Sequence, residues 1–224
     1  MSDLLRGSGP LPPPGPTLAS AIGNIKPVRT RVPARTLTVI LGIGLIVPLF
    51  MLAMVGPRLD LGALPRAWVV LMGLVWALAA LAPLLAATVP PRGEVLASAA
   101  RAGRIALGAT LGLLLLAFFA TVDRPGRTVV PGSAAEAAWH CLRAGLQVVV
   151  PVLVASLLLL RRAFPIGGRR IAAAIGTAGG ALGGLTLHFI CPIGGGMHVA
   201  LGHAGGMIAG ALLGMLVLPR FLRS

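Results

Sequence analysis

The chain has 224 residues, of which 57% are hydrophobic and 11% charged, with no tyrosine and a mean hydropathy of +0.95. So little polar surface excludes a soluble domain and points to an all-α, polytopic membrane protein whose length is taken up by spans. The formal net charge of +14 would signal nucleic acid in a soluble protein; here the arginines stand in short tracts between apolar runs, the pattern of membrane anchoring, so no direct nucleic-acid binding is expected.

In chain order, the first segment is "MSDLLRGSGPLPPPGP", Met1 to Pro16. It has no continuous apolar core and reads as a tail rather than a secretory signal. Its proline-rich part, residues 10–16, is a stiff spacer. In "TLASAIGNI" the residues Leu18, Ile22 and Ile25 stand at i, i+4 and i+7, a short apolar helical stripe that Thr17 can cap. Lys26, Arg29 and Arg31 follow in "KPVRTRVPAR". The tail over residues 1–36 therefore reads either as an interfacial helix with a cationic anchor or as a helix that docks into a groove of a cytoplasmic partner. On the second reading Leu18, Ile22, Ile25, Lys26, Arg29 and Arg31 are the partner-binding residues.

A transmembrane domain over 37–218 follows, with spans expected at 37–55, 67–89, 105–122, 138–160, 171–191 and 198–218, the third with room to begin earlier, in "VLASAARAGR". Each is near the ~20 residues that cross a bilayer's hydrocarbon. Residues 219–224 are left as a short C-terminus. Of the 19 Lys and Arg residues, 14 fall in the tail, in loops 2–3 and 4–5 and at the C-terminus, against four in loops 1–2 and 3–4. The positive-inside rule then puts both termini in the cytoplasm.

This orientation sends every histidine and cysteine to the outer part of the membrane. His140 and Cys141 lie at the outer end of span 4; His188 and Cys191 close span 5; His198 and His203 open span 6. Small residues recur every fourth position in both of the last spans: Gly176, Gly180 and Gly184, then Gly202, Gly206, Gly210 and Gly214. Such stripes let helix backbones approach closely in lipid, so a tight hairpin is expected, turned by Pro192 and Gly194–Gly196. Extending the two stripes outward predicts that His188, Cys191 and His198 converge under the turn. His203, with Met207 on a neighbouring face, reads as a hydrogen-bonding side chain without a further role. Cys141 sits at a depth similar to Cys191, and the two thiols either pair or stay free as packing residues. His140, Arg143 and Gln147 share one face of span 4.

The run "IKPVRTRVPARTL" before the first span, "WHC" at Trp139–Cys141 and "LHFICP" at Leu187–Pro192, together with six spans and no soluble domain, resemble membrane-bound anti-sigma factors of the NrsF and CarR kind. The resemblance runs over residues 18–224. It implies a bacterial inner-membrane protein whose cytoplasmic N-terminal segment holds an extracytoplasmic-function sigma factor and whose membrane part senses stress. By position, the sensing cysteines are Cys141 and Cys191, with His140, His188 and His198 as neighbours. Three inputs fit: a soft or borderline metal ion, a thiol–disulfide cycle, and oxidation by a species such as singlet oxygen, which the CarR-like side implies. Oxidation ranks first because Met197 and Met207 add sulfur beside the histidines. No cofactor is called for. No HExxH motif occurs and no carboxylate lies in a span, which argues against a hydrolase. The remaining alternative is a small transporter or channel, which wants a polar site near the midplane.

Overall fold

The computed structural model describes residues 33–89, 95–119, 133–160 and 168–221. These contain six long helices and no strand: α1 Pro33–Val55, α2 Arg66–Thr88, α3 Val95–Phe119, α4 Ala134–Leu160, α5 Gly168–Ile190 and α6 Gly196–Phe221. All six are long and apolar enough to cross a membrane. Five match the expected spans to within four residues at either end, whereas α3 starts at Val95, ten residues ahead of position 105. Ser98 and Ala99 in that extra length are buried, so packing recruits a stretch that its arginines and serine make less apolar than the rest.

The helix lowest in hydropathy is the most enclosed. α5 has a hydropathy of 1.3, yet 78% of its most apolar window is buried, against 11–44% for the other spans. It is the axis of the bundle, packing against each of the other five helices. Glycine and alanine replace bulky side chains there because the neighbours are backbone. Leucine, valine and phenylalanine face outward instead, for example Leu49, Phe50, Leu78, Leu115 and Phe119, as suits contact with hydrocarbon.

The α5–α6 seam is built from the glycine stripes. A Cβ on Gly176 would overlap the carbonyl of Gly210, one on Gly180 the carbonyl of Gly206, and one on Gly214 the carbonyl of Ala172. A second seam, not read from the sequence, runs on the adjacent face of α5, where a Cβ on Gly183 would meet Gly145 of α4 and one on Gly179 would lie 3.2 Å from the Val149 Cα. The doublet Gly179–Gly180 serves both seams at once, because consecutive helical residues point about 100° apart, whereas in Gly183–Gly184 the second glycine faces the Trp76 ring of α2.

At the end of the bundle that holds the α5–α6 turn, the α1–α2 connection folds inward. Gly56, with φ +80, ends α1 and sends its N–H back to the Leu52 carbonyl, the left-handed cap that glycine adopts freely. The Arg58 N–H then donates to the Phe189 carbonyl at 2.8 Å, and the Arg58 guanidinium donates to the Pro192 carbonyl at 3.1 Å. Asp60 holds that guanidinium in a bidentate pair, with contacts of 2.6 and 2.7 Å. Arg58 is 8% exposed and Asp60 half-buried, so this pair acts as a part-buried clamp on the turn.

Candidate functional site

Four side chains converge beneath that clamp. α5 ends where Pro192 cannot continue it, and the last N–H to bond back is that of Cys191, to the Leu187 carbonyl at 2.8 Å. This leaves the Cys191 thiol at the helix end, buried. Cys141, about two turns into α4, faces it with Sγ–Sγ at 3.5 Å, and both thiols are free. Gly202 lets α6 approach Cys141 closely, since a Cβ there would stand 3.2 Å from the Cys141 Cβ.

The histidines come from an irregular stretch of α6. After a first helical turn at Gly196–His198, residues Val199–Ala204 form a π-helical turn before regular α-helix resumes at Gly205. In an α-helix, residues five apart point about 140° away from each other. The wider turn brings His198 and His203 back onto one side, with ring centroids 5.4 Å apart and edge to face. His198 Nε2 lies 3.4 Å from Cys191 Sγ. One ligating atom from each of Cys141, Cys191, His198 and His203 lies within 4.8 Å of all the others. Among the described residues, His198 Nδ1 and His203 Nε2 are buried without a hydrogen-bond partner. Buried polar atoms normally have one, and a π turn of this kind is often found at functional sites.

The expected residues divide. Cys141, Cys191 and His198 meet. His188 does not join them: its Nε2 donates to the Val69 carbonyl at 3.1 Å, and its ring packs between Trp68 and Phe189. The cause is helical drift, because each four-residue step advances the stripe by about 40°. By Gly184 the stripe already faces α2, where a Cβ would overlap the Trp76 ring, and His188 follows it there. His140 is exposed on the other face of α4, as are Arg143 and Gln147. Met207, expected to add oxidisable sulfur to the cluster, is fully buried in the core against the Gly180 backbone, and Met197 is 58% exposed. His203, expected to have no further role, is the fourth member. The candidate docking residues Leu18, Ile22, Ile25, Lys26, Arg29 and Arg31 lie outside the described residues.

A small cavity of about 30 Å³, lined by residues including His203, His188, Arg58 and Val199, adjoins the cluster; it has room for one or two waters. The sequence model of one family, NrsF, described as negative regulator of sigma F, matches residues 22–223. The match thus takes in Ile22 and all six helices but leaves out Leu18 and the proline-rich lead. No curated protein and no solved structure matches the chain.

Proposed function

The chain belongs to the NrsF family of negative regulators of sigma F, and from that premise we propose that it is an inner-membrane anti-sigma factor with both termini in the cytoplasm, holding an extracytoplasmic-function sigma factor until a stress signal arrives at the Cys/His end of the bundle. The observation that carries this reading is the extent of the match: it covers the helices together with part of the tail, so regulation and the membrane-type bundle belong to one unit. The arginine asymmetry supports the orientation, which puts the two thiols on the oxidising side of the membrane. The domain division follows: tail 1–36 for docking, helices 37–218 for anchoring and sensing, and 219–224 as a cytoplasmic end.

The Leu18, Ile22 and Ile25 stripe, with Lys26, Arg29 and Arg31 beside it, would hold the sigma factor. Alone it covers a few hundred Å², short of the ~800 Å² per partner typical of a stable interface, so the arginine-rich loops 2–3 and 4–5 would contribute. A transport route is disfavoured by the axis of the bundle: between Ile171 and Leu187 of α5 the polar side chains are Thr177 and Thr186, and Thr186 is satisfied by the Leu182 carbonyl.

Tagged full-length protein, solubilised from membranes, should co-purify a sigma factor, and a Leu18→Asp, Ile22→Asp double variant at normal membrane levels should release it and switch on its regulon. Absence of any sigma factor from the wild-type preparation would sink the reading. Normal repression by the double variant would remove the tail stripe as the docking element.

A further inference from the structure

The buried, unpartnered His203 Nε2, together with two free thiols and the His198 Nε2 that faces Cys191, calls for a ligand. We propose that Cys141, Cys191, His198 and His203 form a tetrahedral site for one borderline-soft divalent cation of the Zn²⁺ class. The inference rests on the regulatory reading above and names the chemistry of its sensing site.

Geometry supports four ligands and a small ion. Tetrahedral bonds of about 2.0–2.3 Å place ligand atoms roughly 3.3–3.8 Å from one another. The Sγ–Sγ separation of 3.5 Å and the Cys191 Sγ to His198 Nε2 separation of 3.4 Å already fall in this range. The widest pair, at no more than 4.8 Å, needs to close by about 1 Å to reach it. The donors come from three helices, so an ion would tie the start of α4 and the end of α5 to the π turn of α6.

Charge supports a divalent ion. On binding, two thiols lose their protons to water and two neutral imidazoles donate lone pairs, so one M²⁺ with two thiolates leaves a site of zero net charge. That suits a place where Cys191, His198 and His203 are all buried, because an uncompensated charge would be costly there. Mixed sulfur and nitrogen donors select Zn²⁺-like ions over Mg²⁺ or Ca²⁺, which take oxygen. His198, bound through Nε2, keeps Nδ1 without a hydrogen-bond partner among the described residues. Ligating histidines usually have such a partner, and its loss weakens binding by about 10–100-fold. The site is therefore an exchangeable one that responds to ion concentration, rather than a permanent structural centre.

The test uses full-length, reduced, metal-free protein in detergent, with Co²⁺ as a spectroscopic probe and Zn²⁺ as competitor. The expected result is one Co²⁺ per chain, with a thiolate-to-cobalt charge-transfer band and tetrahedral d–d absorption, both abolished by Zn²⁺. His203→Asn and His198→Asn should each weaken binding by more than about 100-fold, beyond the loss of a supporting partner, whereas His140→Asn and His188→Asn should bind as wild type. The site is overturned if no Co²⁺ binds, if both His198 and His203 variants keep full affinity and the tetrahedral spectrum, or if His188→Asn weakens binding as much as they do. Co-purified sigma factor is measured on every sample. If it is retained while cobalt fails to bind, the metal site falls and the regulatory reading stands; if it is absent from every sample, the regulatory reading falls whatever the cobalt does.

Discussion

The α5–α6 seam and the cluster at its end share two helices, with α4 adding Cys141 to the cluster, and follow opposite rules. Along the seam the contacts are backbone on backbone, and Gly176, Gly180 and Gly210 leave no space for even one added carbon. At the end of the seam these helices carry one thiol and two imidazoles, which meet the Cys141 thiol of α4 and leave two buried nitrogens without a hydrogen-bond partner. The seam positions the cluster: only helices this close place α6 side chains within reach of the α5 terminus. The seam is thus a closely packed apolar line, and the polar end beside it is incompletely satisfied.

The contrast can be broken most forcefully at Gly176. Gly176→Leu drives a side chain into the Gly210 carbonyl, and overpacking against backbone exceeds the usual 1–3 kcal/mol of a crowded core. The expected outcome is loss of the folded bundle, read as protease sensitivity and low membrane levels. A variant as stable as wild type would show that the seam does not set the spacing.

Arg58→Ala comes next. It removes the bidentate pair with Asp60 and the bond to the Pro192 carbonyl, and hydrogen bonds to charged groups contribute about 1.5–3 kcal/mol. Thermal unfolding in detergent should show a loss of that size, accompanied by faster alkylation of Cys191 as the turn loosens. Unchanged alkylation would separate the clamp from the cluster.

Cys141→Ser with Cys191→Ser should change stability by less than about 1 kcal/mol, since shape is nearly conserved, while abolishing signal-dependent release of the sigma factor. A reporter that still responds to metal, thiol oxidant and photosensitised light would make the cluster a packing feature. Smallest of all is Gly112→Ala on α3, where an added Cβ meets nothing within 4 Å. Removing a helical glycine stabilises by up to about 1 kcal/mol, so a small rise in melting temperature is expected; a fall like that at Gly176 would deny the seam its special status.

Much of this is legible in the sequence. Six apolar runs of bilayer length determine six helices, because a chain in lipid must satisfy its backbone internally. The four-residue glycine spacing determines the α5–α6 seam, and the motifs around Cys141 and Cys191 point to the family. Tertiary structure decided the membership of the site. Stripe extension takes every turn as repeating in place, whereas a four-residue step drifts by about 40°; three such steps carry His188 from the α6 face to α2 and Val69. His203 was hidden for the converse reason, since five residues from His198 is the wrong side of a regular helix and only the π turn at Val199–Ala204 corrects it. Arg58 lies 134 residues from the Pro192 carbonyl it clamps, a separation no local pattern spans. Periodicity along one helix specifies faces; which faces meet at a single point depends on accumulated twist and on the neighbours, and those exist only in the packed bundle.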